Sequence, residues 1–284
     1  METTATTRTV SDRLTAAFAA VRGFELPAAA ETARASALEV AEIVRTLDAD
    51  DDVVVAAMLQ PLLDGKHLER EAAERRFGVE PVRLARALSQ LGHFGLPPEW
   101  TPERGLEAGQ AEALRKMLLA VIGDVRLVVV RLAEQLQKMR SAKSLDAVTQ
   151  RKLATETREV YAPLANRLGV WQVKWELEDL AFRYLQPAQY KLIAAALNSR
   201  RSERERYIDA LKRELQAALG AAGIEATITA RPKHIYSIWR KMQAKHLAFE
   251  QLMDIRAARV LVGSVATTAH QALDTPPTER DTSS

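Results

Sequence analysis

The stretch GIEATITARPKHIYSIWRKMQAK, Gly223 to Lys245, is where one kind of fold gives way to another. Ile224 to Thr229 alternate at period two with β-branched residues, which predicts a half-buried strand. Arg231 to Lys245 predict an amphipathic helix with Pro232 in its first turn. At 100° per residue, Ile235, Ile238, Trp239 and Met242 share one side, while Lys233, Ser237, Arg240 and Lys241 gather on the other. Asp254 to Val262 (DIRAARVLV) read as a second strand. A β-α-β unit of this size cannot bury its own faces, so residues 221–262 look like the opening of an incomplete α/β domain. The Thr-, Ser- and Pro-rich residues 263–284 have no period and predict a disordered tail.

Upstream of Gly220 the chain is helical throughout, with apolar residues recurring at three and four. The predicted helices are Asp12 to Val21, Pro27 to Leu47, Asp51 to Leu63, Glu80 to Leu91, Leu106 to Ile122, Val125 to Met139, Leu145 to Leu168, Gln172 to Leu185 and Pro187 to Asn198. Gly92 to Gly105, with Pro97, Pro98 and Pro102, predicts a loop. Asp50, Asp51 and Asp52 suit a helix N-terminus, and Ser144 offers a cap for the helix at Leu145. Trp171, Trp175, Leu177, Leu180 and Tyr184 are spaced like a helix core. The expected organisation is a helical domain over 1–198, a connecting helix over 199–220 and the α/β segment, so the fold class is mainly α.

Composition narrows the function. There is no Cys, and the five His (His67, His93, His234, His246 and His270) never fall three or four apart, which argues against thiolate metal sites and compact two-His sites. No apolar run is long enough to span a membrane and the N-terminus lacks a signal-peptide pattern, so a cytoplasmic protein without membrane partners is expected. The net charge of +3 says little, but no Asp or Glu occurs from Ala226 to Phe249. A strand, a basic turn and a cationic helix face make a triphosphate cradle, in which Arg forks onto phosphate and Lys adds point charge. Asp254 is placed to hold a Mg²⁺ bridging such phosphates. The stretch suits a nucleotide better than a long nucleic-acid backbone.

Tyr161 to Lys191 (YAPLANRLGVWQVKWELEDLAFRYLQPAQYK), Arg231 to Met242 and Phe249 to Val260 closely resemble the long RelA/SpoT proteins, which make and in some members hydrolyse (p)ppGpp. The resemblance implies an all-helical HD-type hydrolase domain before a nucleotidyltransferase-like synthetase domain, which moves pyrophosphate from ATP to the 3′-hydroxyl of GDP or GTP. It implies that Arg231, Lys233, Ser237 and Lys241 hold ATP and its phosphates and that Asp254 is the first catalytic, Mg²⁺-binding acid. Ala230 stands where the family usually has Gly. The family's second acid, a Glu, and its guanine-stacking Tyr have no counterpart before the pattern ends near Val262, so the chain looks truncated and inactive in synthesis alone.

On the hydrolase side, the resemblance puts Ser36, Gln60, Pro61 and Glu134 where an active member keeps its Mn²⁺-binding His, His-Asp pair and Asp, with Asp64 and Gly65 at the acidic pair. That pattern implies the synthesis-only, RelA-type branch. The alternative is a non-enzymatic regulatory module that docks on a full-length homologue. Contact with the ribosome is not expected without the family's later regulatory domains.

Overall fold

The computed structural model describes residues 3–91, 124–199, 201–224, 226–232, 234–252 and 256–262. It divides into two compact units, the first ending at Lys191 and the second starting at Leu192. The first contains α1 (Thr3–Arg22), α2 (Ala28–Arg45), α3 (Asp51–Asp64), α4 (Arg70–Phe77), α5 (Val79–Gln90), α6 (Val125–Ser141), α7 (Ala147–Glu156), a π-helical segment (Thr157–Tyr161), α8 (Ala162–Arg167) and α9 (Trp171–Leu185). Helix α10 (Pro187–Ser199) crosses the division, and α11 (Arg201–Ala221), β1 (Ala226–Pro232), α12 (Ile235–Lys245) and β2 (Arg256–Val262) follow. The predicted helix Leu106 to Ile122, the loop before it and the tail from Gly263 lie outside the described residues.

Helix α3 is the centre of the first unit. It is apolar on nearly every side, and Val53 to Leu59 together with Leu62 are all buried. Around it pack α2 and α5 along their lengths and α1, α4 and α6 more locally. Met58, Leu59, Leu62, Leu84, Leu88, Leu132, Leu136 and Met139 are fully buried in this core, each contributing about 2 kcal/mol by removal from water. Asp50 caps α3 as expected, accepting from the Val53 amide at 3.1 Å.

Four local expectations need correction. The helix predicted at Leu145 starts at Ala147, because Asp146 takes the cap, accepting from the amides of Val148 (2.9 Å) and Thr149 (3.0 Å); the Ser144 hydroxyl donates to the Ser141 carbonyl instead. That helix is not uniform either. Pro163 has no N–H to give and its ring crowds the carbonyl four residues back, and the chain meets this with the wider π-turn just before it. Helix α4 is absent from the predicted set: of its eight residues only Ala73 and Phe77 are buried. Trp171 is 40% exposed rather than core, tilted against Trp175 at 6.0 Å with the Lys174 ammonium over its ring; Val173, Leu177, Ala181 and Phe182 form the buried face of α9.

In the second unit, β1 and β2 pair antiparallel in continuous register, from Ala226 opposite Val262 to Pro232 opposite Arg256. Pro232 therefore closes the strand instead of opening the helix, a position where its missing N–H is tolerated, and α12 begins at Ile235. Helix α11 packs on β1.

Candidate functional site

A cavity of about 420 Å³ opens between α2, α3, α5 and α6. Helix α2 presents Ser36 among the small residues Ala33 and Ala37; α3 presents Gln60, Pro61 and Asp64; α5 presents Ser89; and α6 presents Arg131, Glu134 and Lys138. The α6 residues are three and four apart and so share one face. All four positions aligned by resemblance with hydrolase ligands, Ser36, Gln60, Pro61 and Glu134, line this one cavity.

Each carboxylate in the cavity is already engaged. Glu134 accepts from Arg131 Nη1 at 2.6 Å, and Arg131 Nη2 donates to the Leu88 carbonyl at 2.5 Å, which ties α6 to α5. Asp64 accepts from Gln60 Nε2 and from the Ser89 hydroxyl, both at 2.5 Å, which ties α3 to α5. This donor set does not suit Mn²⁺. Such a site needs several unencumbered carboxylate or imidazole donors, whereas here a hydroxyl, an amide, a prolyl ring and a carboxylate held by a guanidinium occupy those positions. Among the described residues no group of three or more His, Cys, Asp or Glu is placed to hold a metal ion.

Behind the cavity wall, α6 meets α7 and the π-segment. Gln135 Nε2 donates to the Thr157 hydroxyl at 2.8 Å, and that hydroxyl donates to the Leu153 carbonyl at 2.7 Å; Gln135 and Thr157 are both buried. Glu156, the last residue of α7, is raised to about 7 because burial outweighs the attraction of Lys138 and Lys152. Burial, aided by Glu156, also raises the Tyr161 phenol, while Arg131 pulls it down.

The second candidate site is α12. Ser237 and Lys241 lie four apart on it, partly buried, and Arg240 and Lys245 are exposed. Ile238 is fully buried on the opposite side, as the amphipathic reading requires. Trp239 is part-buried and stacks on Tyr236 at 5.6 Å. No acid stands in the helix's first turn, and His234 occupies its N-cap without a side-chain capping bond, so the dipole there is not opposed by a carboxylate of its own first turn. Arg231 lies in β1 opposite Ala257. Lys233 and Asp254 lie outside the described residues.

Sequence reasoning passed over Arg131, Ser89, Lys138 and Glu156. Arg131 had a visible signal, a lone charge inside the run Leu127 to Ala133 (LVVVRLA). Ser89 and Glu156 had none, since their roles depend on which helix lies opposite.

An all-helical domain framing a polar cavity, followed by a strand, a cationic helix and a second strand, defines a two-part protein with an HD-type first half. The chain belongs to the RelA/SpoT family: residues 16–171 match the HD domain and residues 230–275 match the region found in RelA / SpoT proteins. It is 42% identical over 223 residues to a GTP pyrophosphokinase of Photobacterium angustum, covering 78% of this chain and 30% of that protein. The GTP pyrophosphokinase of Escherichia coli K12 is 42% identical over 224 residues, 79% of this chain and 30% of that protein. A probable guanosine-3′,5′-bis(diphosphate) 3′-pyrophosphohydrolase of Synechocystis is 38% identical over 226 residues, 79% of this chain and 29% of that protein. The chain thus spans about 30% of the length of the curated relatives it matches.

Proposed function

We propose that this chain serves (p)ppGpp metabolism on the synthetic side, contributing ATP-phosphate contacts from its second unit, and that its helical unit is a metal-free scaffold without hydrolase activity. The observation that carries this reading is the cavity: the four positions aligned with hydrolase metal ligands converge there, and its two carboxylates, Asp64 and Glu134, are both bound by neighbouring side chains. Hydrolysis through a metal-activated water has no seat in that arrangement.

On the synthetic side, Arg231, Lys233, Ser237 and Lys241 are proposed to hold the triphosphate. Asp254 is proposed to hold Mg²⁺, which supplies charge neutralisation as the pyrophosphoryl group passes to the 3′-hydroxyl of GDP or GTP. The second acid and the guanine-stacking Tyr implied by the family have no counterpart in residues 263–284, so synthesis is proposed to require more than this chain supplies. Cytoplasmic location is part of the same reading; no described helix is long and apolar enough to cross a membrane.

The continuous core of the first unit favours a second reading, in which the helical unit acts as a regulatory module on a full-length homologue. The experiment incubates the purified chain with radiolabelled ATP, GTP and Mg²⁺, and separately with ppGpp and Mn²⁺. The expected result is no pyrophosphate release from ppGpp. Turnover in that arm that is lost on chelation overturns the scaffold reading, and robust ppGpp formation in the first arm overturns the claim of incompleteness.

A further inference from the structure

The polar groups around the cavity are not all matched. The Arg131 side chain is only 10% exposed. Its Nη1 donates to Glu134 and its Nη2 to the Leu88 carbonyl, but its Nε is buried without a hydrogen-bond partner. A buried donor without an acceptor is rare in a folded protein and costly to keep. On α3, Pro61 stands inside the helix. It has no N–H, so the carbonyl of Ala57, four residues back, loses its helical donor. Ala57 is buried and borders the same cavity as Pro61 and Arg131. One group of the wall therefore lacks an acceptor and another lacks a donor.

The charges of the wall favour neither kind of ion. Arg131 and Lys138 stand against Asp64 and Glu134; Glu134 is paired with Arg131, and Asp64 accepts from Gln60 and Ser89. An anion here meets two carboxylates and a cation meets two basic side chains, in either case after losing its water. Ala33, Ala37 and Val40 add an apolar wall, and the volume of about 420 Å³ is far larger than the roughly 10 to 15 Å³ that admits one water. We infer that the cavity is a binding site for a neutral small molecule, a carboxamide on an apolar body, whose oxygen accepts from Arg131 Nε and whose N–H donates to the Ala57 carbonyl. A carboxamide combines both functions without charge, whereas a carboxylate only accepts and an ammonium only donates. This inference rests on the metal-free reading of the same cavity and adds an occupant to it.

The test is an NMR titration of the full chain, labelled at Arg with nitrogen-15 and carbon-13, using three probes of one shape: benzamide, benzoate and benzylammonium. The Arg131 Nε–H signal is assigned through its own side-chain carbons. Benzamide is expected to shift that signal saturably and to bind at least about tenfold more tightly than either ion, as expected where an ion leaves a buried polar group unpaired. Two variants locate the site. P61A returns an N–H to position 61, so the Ala57 carbonyl regains its helical partner and benzamide binds severalfold more weakly; A33L fills the cavity and abolishes binding. Unchanged benzamide affinity in either variant refutes the inference, as does benzoate or benzylammonium binding as tightly as benzamide. No saturable shift with benzamide also overturns it, while leaving the metal-free reading intact; that reading fails separately, through chelator-sensitive turnover of ppGpp.

Discussion

Arg131 and Glu134 hold the clearest quantitative consequence of the cavity's structure. Their side chains are only 10% and 16% exposed and meet at 2.6 Å, and the same guanidinium satisfies the Leu88 carbonyl. Arg131→Met strips the cation from a mostly buried carboxylate and leaves a carbonyl unpaired, which costs about 3 to 5 kcal/mol for breaking such a pair. Glu134→Leu leaves the guanidinium with one weak partner and costs about as much by the same reasoning. In the double variant neither charge remains; only the Leu88 carbonyl loses its partner, at about 1 to 3 kcal/mol. The two losses are therefore strongly non-additive, with a coupling of at least about 2 kcal/mol across the cycle. Urea unfolding read through Trp171 and Trp175, with Trp100 and Trp239 replaced by Phe, measures the first unit. Additive losses, or a single variant within about 0.5 kcal/mol of wild type, a value typical of unremarkable surface positions, would show that the pair does not brace the cavity. The same samples test the metal argument: if 1 mM Mn²⁺ restores the stability of Arg131→Met, Glu134 is a ligand and the scaffold reading fails.

Three further outcomes follow from the same structure. Glu156 is raised to about 7 from an ordinary 4.5, so its contribution is fully present below about pH 4.5 and lost as pH rises through 7. Relative to wild type, Glu156→Gln should gain up to about 3 kcal/mol at pH 8 and only about 1 kcal/mol at pH 5, and equal gains at both pH values in urea titrations would contradict the burial argument. Mn²⁺ at 1 mM should leave the melting temperature of the wild type unchanged, since a micromolar site at that excess would add about 4 kcal/mol; differential scanning calorimetry with and without chelator decides it. Asp146→Ala should lower stability through the lost cap while Ser144→Ala stays close to wild type, and the reverse ranking by chemical denaturation would restore the cap read from sequence.

Most helices were legible because a 3.6-residue apolar period over ten or more positions survives any tertiary context, as in α2 and α5. The strand read over Ile224 to Thr229 was legible because a period of two carried by Ile and Thr fits a pleated, half-buried surface and no helix face, but it runs from Ala226 to Pro232 and leaves Ile224 outside. What failed had competing local signals. Ser144 and Asp146 both cap well, and two residues of register between them cannot be chosen without seeing which amides are free. Pro232 fits a helix's first turn and a strand's last residue equally, and only its pairing opposite Arg256 decides. Helix α4 carries five charges in eight residues and buries two side chains, so its period was never written strongly enough to read. The positions of the altered ligand set were legible through resemblance; their convergence on one cavity, and Arg131 beside them, were not, because Arg131 gains its meaning from a carbonyl 43 residues away.

The contrast between the two halves is electrostatic. In the first unit, three helix N-termini are closed by carboxylates, Asp50 on α3, Asp124 on α6 and Asp146 on α7, each accepting from free amides, while α2, α4, α5 and α9 start without a side-chain cap. The Asp50 and Asp124 carboxylates and Glu80, at the start of α5, all meet the Arg126 side chain. Of the first unit's cavity acids, Glu134 is paired with the Arg131 guanidinium and Asp64 accepts from the Gln60 amide and the Ser89 hydroxyl. The start of α12 has no acid nearby in sequence from Ala226 to Phe249, no side-chain cap on its amides, and Ser237 and Lys241 one turn apart. The proposed phosphate contacts thus fall to the second unit, while the caps and ion pairs of the first come from its own side chains.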